Sequence, residues 1–448
     1  MTRSTKWITL LLLALSLAAA GCGQSGGNAG GGSEGEGNAA ADQPYKGQQI
    51  SVLLEGHPTS NAMQKMLPEF EEKTGIKVNL EIVPYSDLTS KALMNFSSSS
   101  GRYDVVMDDM VHGIGYVNAG YVEPLDSFMQ NESLTAYYDA QDFVPKYLDV
   151  MKVNGQSYGL PVYGESNFLM YRKDLFEKYG LQVPKTYDEL MNAAKTIHEQ
   201  TNGEIAGITL RGEQGIQNVY VWSTFLWGFG GQWLNEQGKS DIASPEAVKA
   251  LEFYRELLTK YGPTGVANFG WQENRLLFQQ GKAAMTIDAT VNGAFNEDPK
   301  ESSIVGNVGY APVPTQTDQP KGGASTLTVH GIFLSKDSKY KEAAWLFMSW
   351  ATSKEQQVKS MSIDPNAGVT SLSAMKEQVF IDKFGAFKDA MLEAIENGNT
   401  DYLPQIAQAN EMINNTGVAI SKALTGHTPP AEALKEANDL NNRLLEAN

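Results

Sequence analysis

Three carboxylates sit at the ends of apolar runs. Asp108 and Asp109 close YDVVMDD (103–109), and Asp288 closes AAMTID (283–288). A carboxylate at a strand tip suits the grip of a hydroxyl group, because hydrogen bonds to a charged acceptor are about twice as strong as neutral ones. Asp108 and Asp109 also read as an N-cap for the helix that follows. Aromatic residues crowd NVYVWSTFLWGFGGQW (218–233), which holds Tyr220, Trp222 and Trp227, and Trp271 opens WQENRLLF. Acceptors for hydroxyls beside flat rings for C–H faces are the equipment of a carbohydrate site. A ring at helical spacing is equally a core residue. The histidines His57, His112, His198, His330 and His427 show neither HExxH nor HxH spacing, so no metal and no cofactor is expected.

The single cysteine, Cys22, does different chemistry. Arg3 and Lys6 precede the uncharged stretch WITLLLLALSLAAAG, which ends at Gly21 in small residues and reads as a signal peptide over 1–21. Ala20-Gly21-Cys22 resembles a bacterial lipobox, in which the thiol is acylated, with palmitate for example, and becomes the mature N-terminus. Residues 23–43, GQSGGNAGGGSEGEGNAAADQ, lack any large apolar side chain that could repay the entropy of ordering. A flexible tether of that length reaches roughly 25 Å. The expectation is a lipid anchor and tether over 22–44, holding a globular body at the extracellular face of the cell membrane, in the manner of a Gram-positive lipoprotein.

That body, from about Pro44 onward, is long enough for two or three domains. A net charge of −17 argues against nucleic acid or anionic lipid as the partner. With one cysteine no internal disulfide forms, so stability rests on a large core. QQISVLLEG (48–56), IKVNLEIVPY (76–85) and YDVVMDD read as strands separated by helices at 61–75 and SDLTSKALMNFSSS, the pattern of a parallel α/β sheet. Ligands in such sheets sit at the carboxyl ends of strands, which puts the loops Glu55 to Asn61 and Asp108 to His112 on one rim. A second unit alternates the helices TYDELMNAAKTIHEQTNG and PEAVKALEFYRELLTKYG with short strands IAGITL and AAMTID. GGASTLTVHGIFLSKDSKYKEAAWLFMSWATSKEQ returns to a strand and one long helix, and the chain beyond about Lys383 is almost wholly helical.

Five segments, in order, resemble the family 1 extracellular solute-binding proteins of ABC sugar importers. They are YDVVMDDMVHGIGYVNAGYVEPLDSF, YGLPVYGESNFLMYRKDLFEKYGLQVPKTYDEL, WQENRLLFQQGKAAMTID, VGYAPVPT and AAWLFMSWATSKE. Within the family, MTIDATVNGAFNEDPKESSIVGNVGYAPVPT (285–315) is most similar to binders of polyols and small saccharides. The resemblance implies a two-lobed α/β fold of the type II periplasmic-binding-protein class, with discontinuous lobes closing on a ligand. By motif, lobe one spans 45–163 plus 330–380 and lobe two 168–322 plus 381–448, with hinge crossovers near 163–167 and 325–330.

It further implies a non-enzymatic, monomeric binder of a small carbohydrate that delivers its cargo to the permease subunits of an ABC importer. Glu165 matches a position where the family places a ligand carboxylate, and Tyr220 and Trp227 match positions for ring stacking. Mapped on that fold, His57, His112 and His330 become hydroxyl donors near the cleft, and Asn61, Tyr163, Asn218, Trp271, Asn292 and Thr328 join Asp108, Asp109 and Asp288 as candidate contacts. The polyol binders carry tryptophans in the second crossover, where this chain has Ser325 to Thr328, and often an arginine where it has Val369. Two other readings stay open. One is a binder of the same fold for a polyamine or an iron chelate. The other is a lipid-anchored glycoside hydrolase, which needs carboxyls about 5–10 Å apart, such as Asp108 with Glu165.

Overall fold

The apolar run at 49–55 forms strand β1 (Gln49–Glu55), whose Ile50, Val52, Leu53 and Leu54 have no exposed surface. Burial of consecutive residues, not alternate ones, marks a strand covered on both faces. His57 then caps the helix Pro58–Thr74, accepting from the Thr59 N–H, and proline occupies the first helical position. Gly75 ends that helix in the left-handed region at φ 72°. The computed structural model describes residues 43–316, 324–364 and 368–447. The leader, Cys22 and the glycine-rich stretch through residue 42 lie outside the described residues.

Strands β2 (Lys77–Val83) and β3 (Val105–Asp109) both pair with β1 in parallel. A tight hairpin, β4 (Lys152–Val153) and β5 (Gln156–Ser157), turns on Asn154 and Gly155, both at positive φ. Next come β6 (Gly159–Glu165), β7 (Asn167–Arg172), β8 (Met285–Ala289), β9 (Val308–Ala311) and β10 (Thr328–Leu334). They build two principal sheets. One has the order β2-β1-β3-β10-β6 and the other β8-β7-β9.

The first sheet is mixed, not parallel throughout. Strand β10 runs antiparallel to both β3 and β6. It arrives from the second sheet and enters at the rim where the parallel strands end, so it can only run back against them. The second sheet is antiparallel. IAGITL, expected as a strand, makes only isolated parallel bridges, Ala206 to Ala283 and Thr209 to Thr286. The long helix expected after β10 is two, Lys341–Ala351 and Lys354–Ile363, because Ser353 leaves helical geometry and caps the second through the Gln356 N–H.

Each sheet has its own aromatic core. Phe70, Trp345, Trp350 and Phe347 pack on the five-stranded sheet. Around the helix Ile216–Gly228, buried on every side from Asn218 onward, pack Trp233, Tyr254 and the helix Ala409–Leu424. Among the described residues no helix is long and apolar enough to cross a membrane.

The two sheets are joined by very short passages. Ser166 alone separates β6 from β7, and it is fully buried. Its hydroxyl donates to the Thr326 carbonyl at 2.5 Å and the Ala394 carbonyl at 3.0 Å. The Asn167 carboxamide accepts from the Thr326 N–H at 2.9 Å, and Thr326 also bridges to Asn399.

Close backbone approach generates a stability prediction. A methyl group on Gly207 would lie 2.1 Å from the Ala194 carbonyl oxygen, with no flexible side chain able to give way. Gly207→Ala should lower the unfolding free energy by about 1–3 kcal/mol, read from urea midpoints at unchanged slope. A midpoint equal to wild type would contradict the packing described.

Candidate functional site

The carboxyl ends of the strands converge on one space. Glu55 ends β1, Tyr85 follows β2, Glu165 ends β6 and Val291 follows β8. Thr328 and His330, from the first half of the antiparallel β10, reach the same rim. With His57, Tyr163, Arg211, Gln217, Tyr220 and Trp271 they line a cleft of about 470 Å³, part of it open to solvent. Both sheets contribute walls.

Three rings form a column on one wall. His57 stacks on Tyr163 at 3.9 Å and 9°, and Tyr163 stacks on His330 at 4.3 Å and 15°. Glu55 ties the column together. Its Oε2 accepts the Tyr163 hydroxyl at 2.7 Å and lies 2.9 Å from His330 Nδ1, an ion-pair contact. Trp271 lies nearly parallel to His57 with centroids 6.5 Å apart, wider than a direct stack. Its indole N–H donates to Asn292 Oδ1 at 2.8 Å, which fixes the ring plane.

Electrostatics divide the two histidines. Burial lowers the His57 ring to about 4, so it is neutral at physiological pH. Because Nδ1 accepts the Thr59 N–H at 3.2 Å, the ring proton belongs on Nε2, which is buried and has no partner among the described residues. Burial would lower His330 as well, but the Glu55 charge outweighs it and raises the ring to about 9. Burial likewise works to raise Glu55, and the pull of His330 holds it below its usual value. Among the described residues Glu165 has no such counter-charge in contact. Burial pushes it up to about 7, and its Oε2 is buried with no partner among those residues. The cleft lining therefore includes an unengaged donor, His57 Nε2, and an unengaged Glu165 carboxylate oxygen, beside the Thr328 hydroxyl, which is likewise buried without a partner among the described residues.

On the other wall Arg211 is held by Asp288 through Nε at 3.1 Å to both carboxylate oxygens and Nη2 at 2.5 Å. The guanidinium lies over the Tyr220 ring at 4.6 Å, and Nη1 donates to Gln217 at 3.2 Å. Tyr220 in turn accepts from Thr326 of the crossover at 3.1 Å.

Of the residues expected from the sequence, the structure brings His57, Tyr163, Glu165, Tyr220, Trp271, Thr328 and His330 into this cleft lining. The others lie outside it. Asp108 is fully buried, and its carboxylate is taken by Thr89, His112 and Tyr116. His112 is thereby committed to Asp108 at 2.8 Å. Asp109 caps the helix Met110–Asn118 and accepts the Tyr402 hydroxyl at 2.9 Å. Asp288 is spent on Arg211 and Asn274. Asn61 is exposed on its helix, and Asn218 donates to the Gly417 carbonyl between two packed helices. Asn292 stands one step back, holding Trp271. Trp227 lies two turns along its helix from Tyr220 and borders a separate surface groove with Gln232 and Asp401.

Sequence reasoning passed over Glu55, Tyr85, Arg211 and Gln217. Glu55 stands in a rim loop already marked out, directly after the apolar run Val52 to Leu54. Arg211 is a charge directly after the apolar IAGITL. That signal was available in both cases.

The sequence profile of bacterial extracellular solute-binding proteins matches residues 56–358. A mannitol-binding protein of Pseudomonas aeruginosa is 32% identical over 297 residues, covering 65% of this chain and 66% of that protein. The structure of a solute-binding protein from Agrobacterium radiobacter K84 in complex with ribitol superposes with a TM-score of 0.83 at 28% identity, covering 89% of this chain and 99% of that one. One from Agrobacterium vitis S4 with bound D-mannitol gives 0.81 at 31% identity with the same coverage.

The Glu165 environment predicts a pH signature. A carboxyl raised from 4.5 to about 7 in the folded chain contributes stability that is full below pH 4.5 and lost as pH rises through 7. His330, raised from 6.5 to about 9, loses its contribution in the later window. Glu165→Gln should remove the first loss and leave the second, changing the difference in stability between pH 4.5 and 7 by about 3 kcal/mol. Urea unfolding across a buffer series measures this, and parallel profiles for both proteins would rule it out.

Proposed function

The chain belongs to the bacterial extracellular solute-binding protein family, and from that membership we propose that it captures a polyol or small saccharide and delivers it to an ABC importer permease. The family's members are binding proteins, and the fold is the two-lobed one of periplasmic binding proteins. The observation that carries the ligand class is the pairing of a neutral donor, His57 Nε2, with the unengaged Glu165 carboxylate beside flat ring faces. Hydroxyls supply partners to both atoms, and the C–H faces of a polyol or sugar lie against Trp271. The neighbours bound to ribitol and D-mannitol support the same class. A polyamine fits less well, because the buried cations Arg211 and His330 face the same space.

In this reading the five-stranded and three-stranded sheets belong to the two closing lobes, 45–163 plus 330–380 and 168–322 plus 381–448. Ligand touches Glu55, His57 and His330 from one and Arg211, Tyr220 and Trp271 from the other. Contacts made simultaneously to both exist only in the closed form, so ligand supplies the differential free energy that populates it. The permease then recognises that closed surface. Cys22 anchors the chain by lipid at the outer face of a Gram-positive cell membrane, and the glycine-rich tether lets a single copy move to its permease.

A protein beginning at Gln43 should gain thermal stability with alditols or small sugars, by about 4 kcal/mol at a thousand times the dissociation constant. Absence of any carbohydrate shift would reject the ligand class. Trp271→Ala should weaken calorimetric affinity at least tenfold, whereas Trp227→Ala, in its separate groove, should not change it. The opposite ranking would move the site to the groove.

A further inference from the structure

The polar cleft does not end at the ring column. Behind His57, Tyr163 and Glu165 lies a second, small space. Its far wall is made of Val369, Met375, Phe380, Phe384, Met391 and Ile395. Apart from Thr290 and the residues shared with the cleft, every side chain lining it is apolar or absent as in glycine. Its free volume, about 20 Å³, leaves room for one methyl-sized group.

Native interiors close such gaps, because lining atoms without neighbours forfeit their dispersion contacts. This one persists where the wall of the binding cleft is also its own wall. The two spaces share His57, Tyr163, Glu165 and Val291 in their linings. The walls also come from separated elements. Phe380 and Phe384 lie on the helix Gln378–Phe384, while Met391 and Ile395 lie on Lys388–Glu396, which packs against β7.

We propose that this compartment receives a methyl-sized apolar substituent, so that the cargo is a carbohydrate ending in a methyl group where an ordinary alditol or hexose carries a hydroxyl. The proposal rests on the carbohydrate reading above and specifies its substrate class. A terminal methyl fills the space and gains contact with the Val369, Phe384 and Ile395 side chains. A hydroxyl placed there gives up its water without gaining a partner on the apolar wall.

The test is calorimetric titration of the wild-type protein with matched pairs: alditols against their 1-deoxy counterparts, and hexoses against 6-deoxyhexoses. For the pair that binds, the methyl-terminated member should bind at least about tenfold more tightly, the discrimination one group earns in an apolar pocket. Equal binding of both members, or preference for the hydroxylated one, overturns this proposal and leaves the carbohydrate reading standing. Binding by no member of any pair overturns both. Val369→Thr, which places a hydroxyl on the apolar wall at nearly the same volume, should lower the methyl-to-hydroxyl affinity ratio several-fold. An unchanged ratio in a folded variant would remove the compartment from the recognition site.

Discussion

Everything functional here depends on the clasp between the two passages that join the sheets. Ser166, the one residue between β6 and β7, donates to Thr326 on the returning passage, and Asn167 accepts from the same Thr326. These groups are buried, and leaving any of them unpaired would carry a desolvation cost. The clasp therefore sets where β6 ends and where β10 begins, and both points are rims of the cleft. Tyr163 and Glu165 come from the first strand, Thr328 and His330 from the second, so a single hydrogen-bonded knot positions two walls of the site.

A second constraint is the shared carboxylate of Glu55. One oxygen receives the Tyr163 hydroxyl and faces the His330 imidazole. The resulting charge attraction keeps His330 protonated and Glu55 ionised while the ring column stays aligned. His57, on the far side of Tyr163, is left neutral by burial. Two histidines in one stack thus differ in charge because only one of them touches a carboxylate. Glu165 illustrates the converse. Without a contacting cation it sits near neutrality, able to donate or accept across the physiological range.

The elements were largely readable from local pattern. Apolar runs marked β1 and β3, Gly75 marked the end of the helix Pro58–Thr74, whose start the local pattern placed at Asn61 and not at Pro58, and the order of motifs pointed to the family. Long-range effects were not. The direction of β10 follows from where it enters the sheet. The fate of Asp109 turns on Tyr402, 293 positions away. Asp108 and Asp288 look in the sequence like free acceptors at strand tips, yet buried partners, Tyr116 and His112 for one and Arg211 for the other, consume them.

The sequence by itself determined the α/β class and the family, because strand ends, helix caps and motif order are written in neighbouring residues. It also assembled a list of groups able to bind hydroxyls. Tertiary structure alone decided which of them remain available. Availability depends on whether each polar atom already has a partner, and the partners come from distant segments. It alone placed Val369, Phe384 and Ile395 behind Glu165, since an apolar compartment exists only where separated chain segments fail to meet.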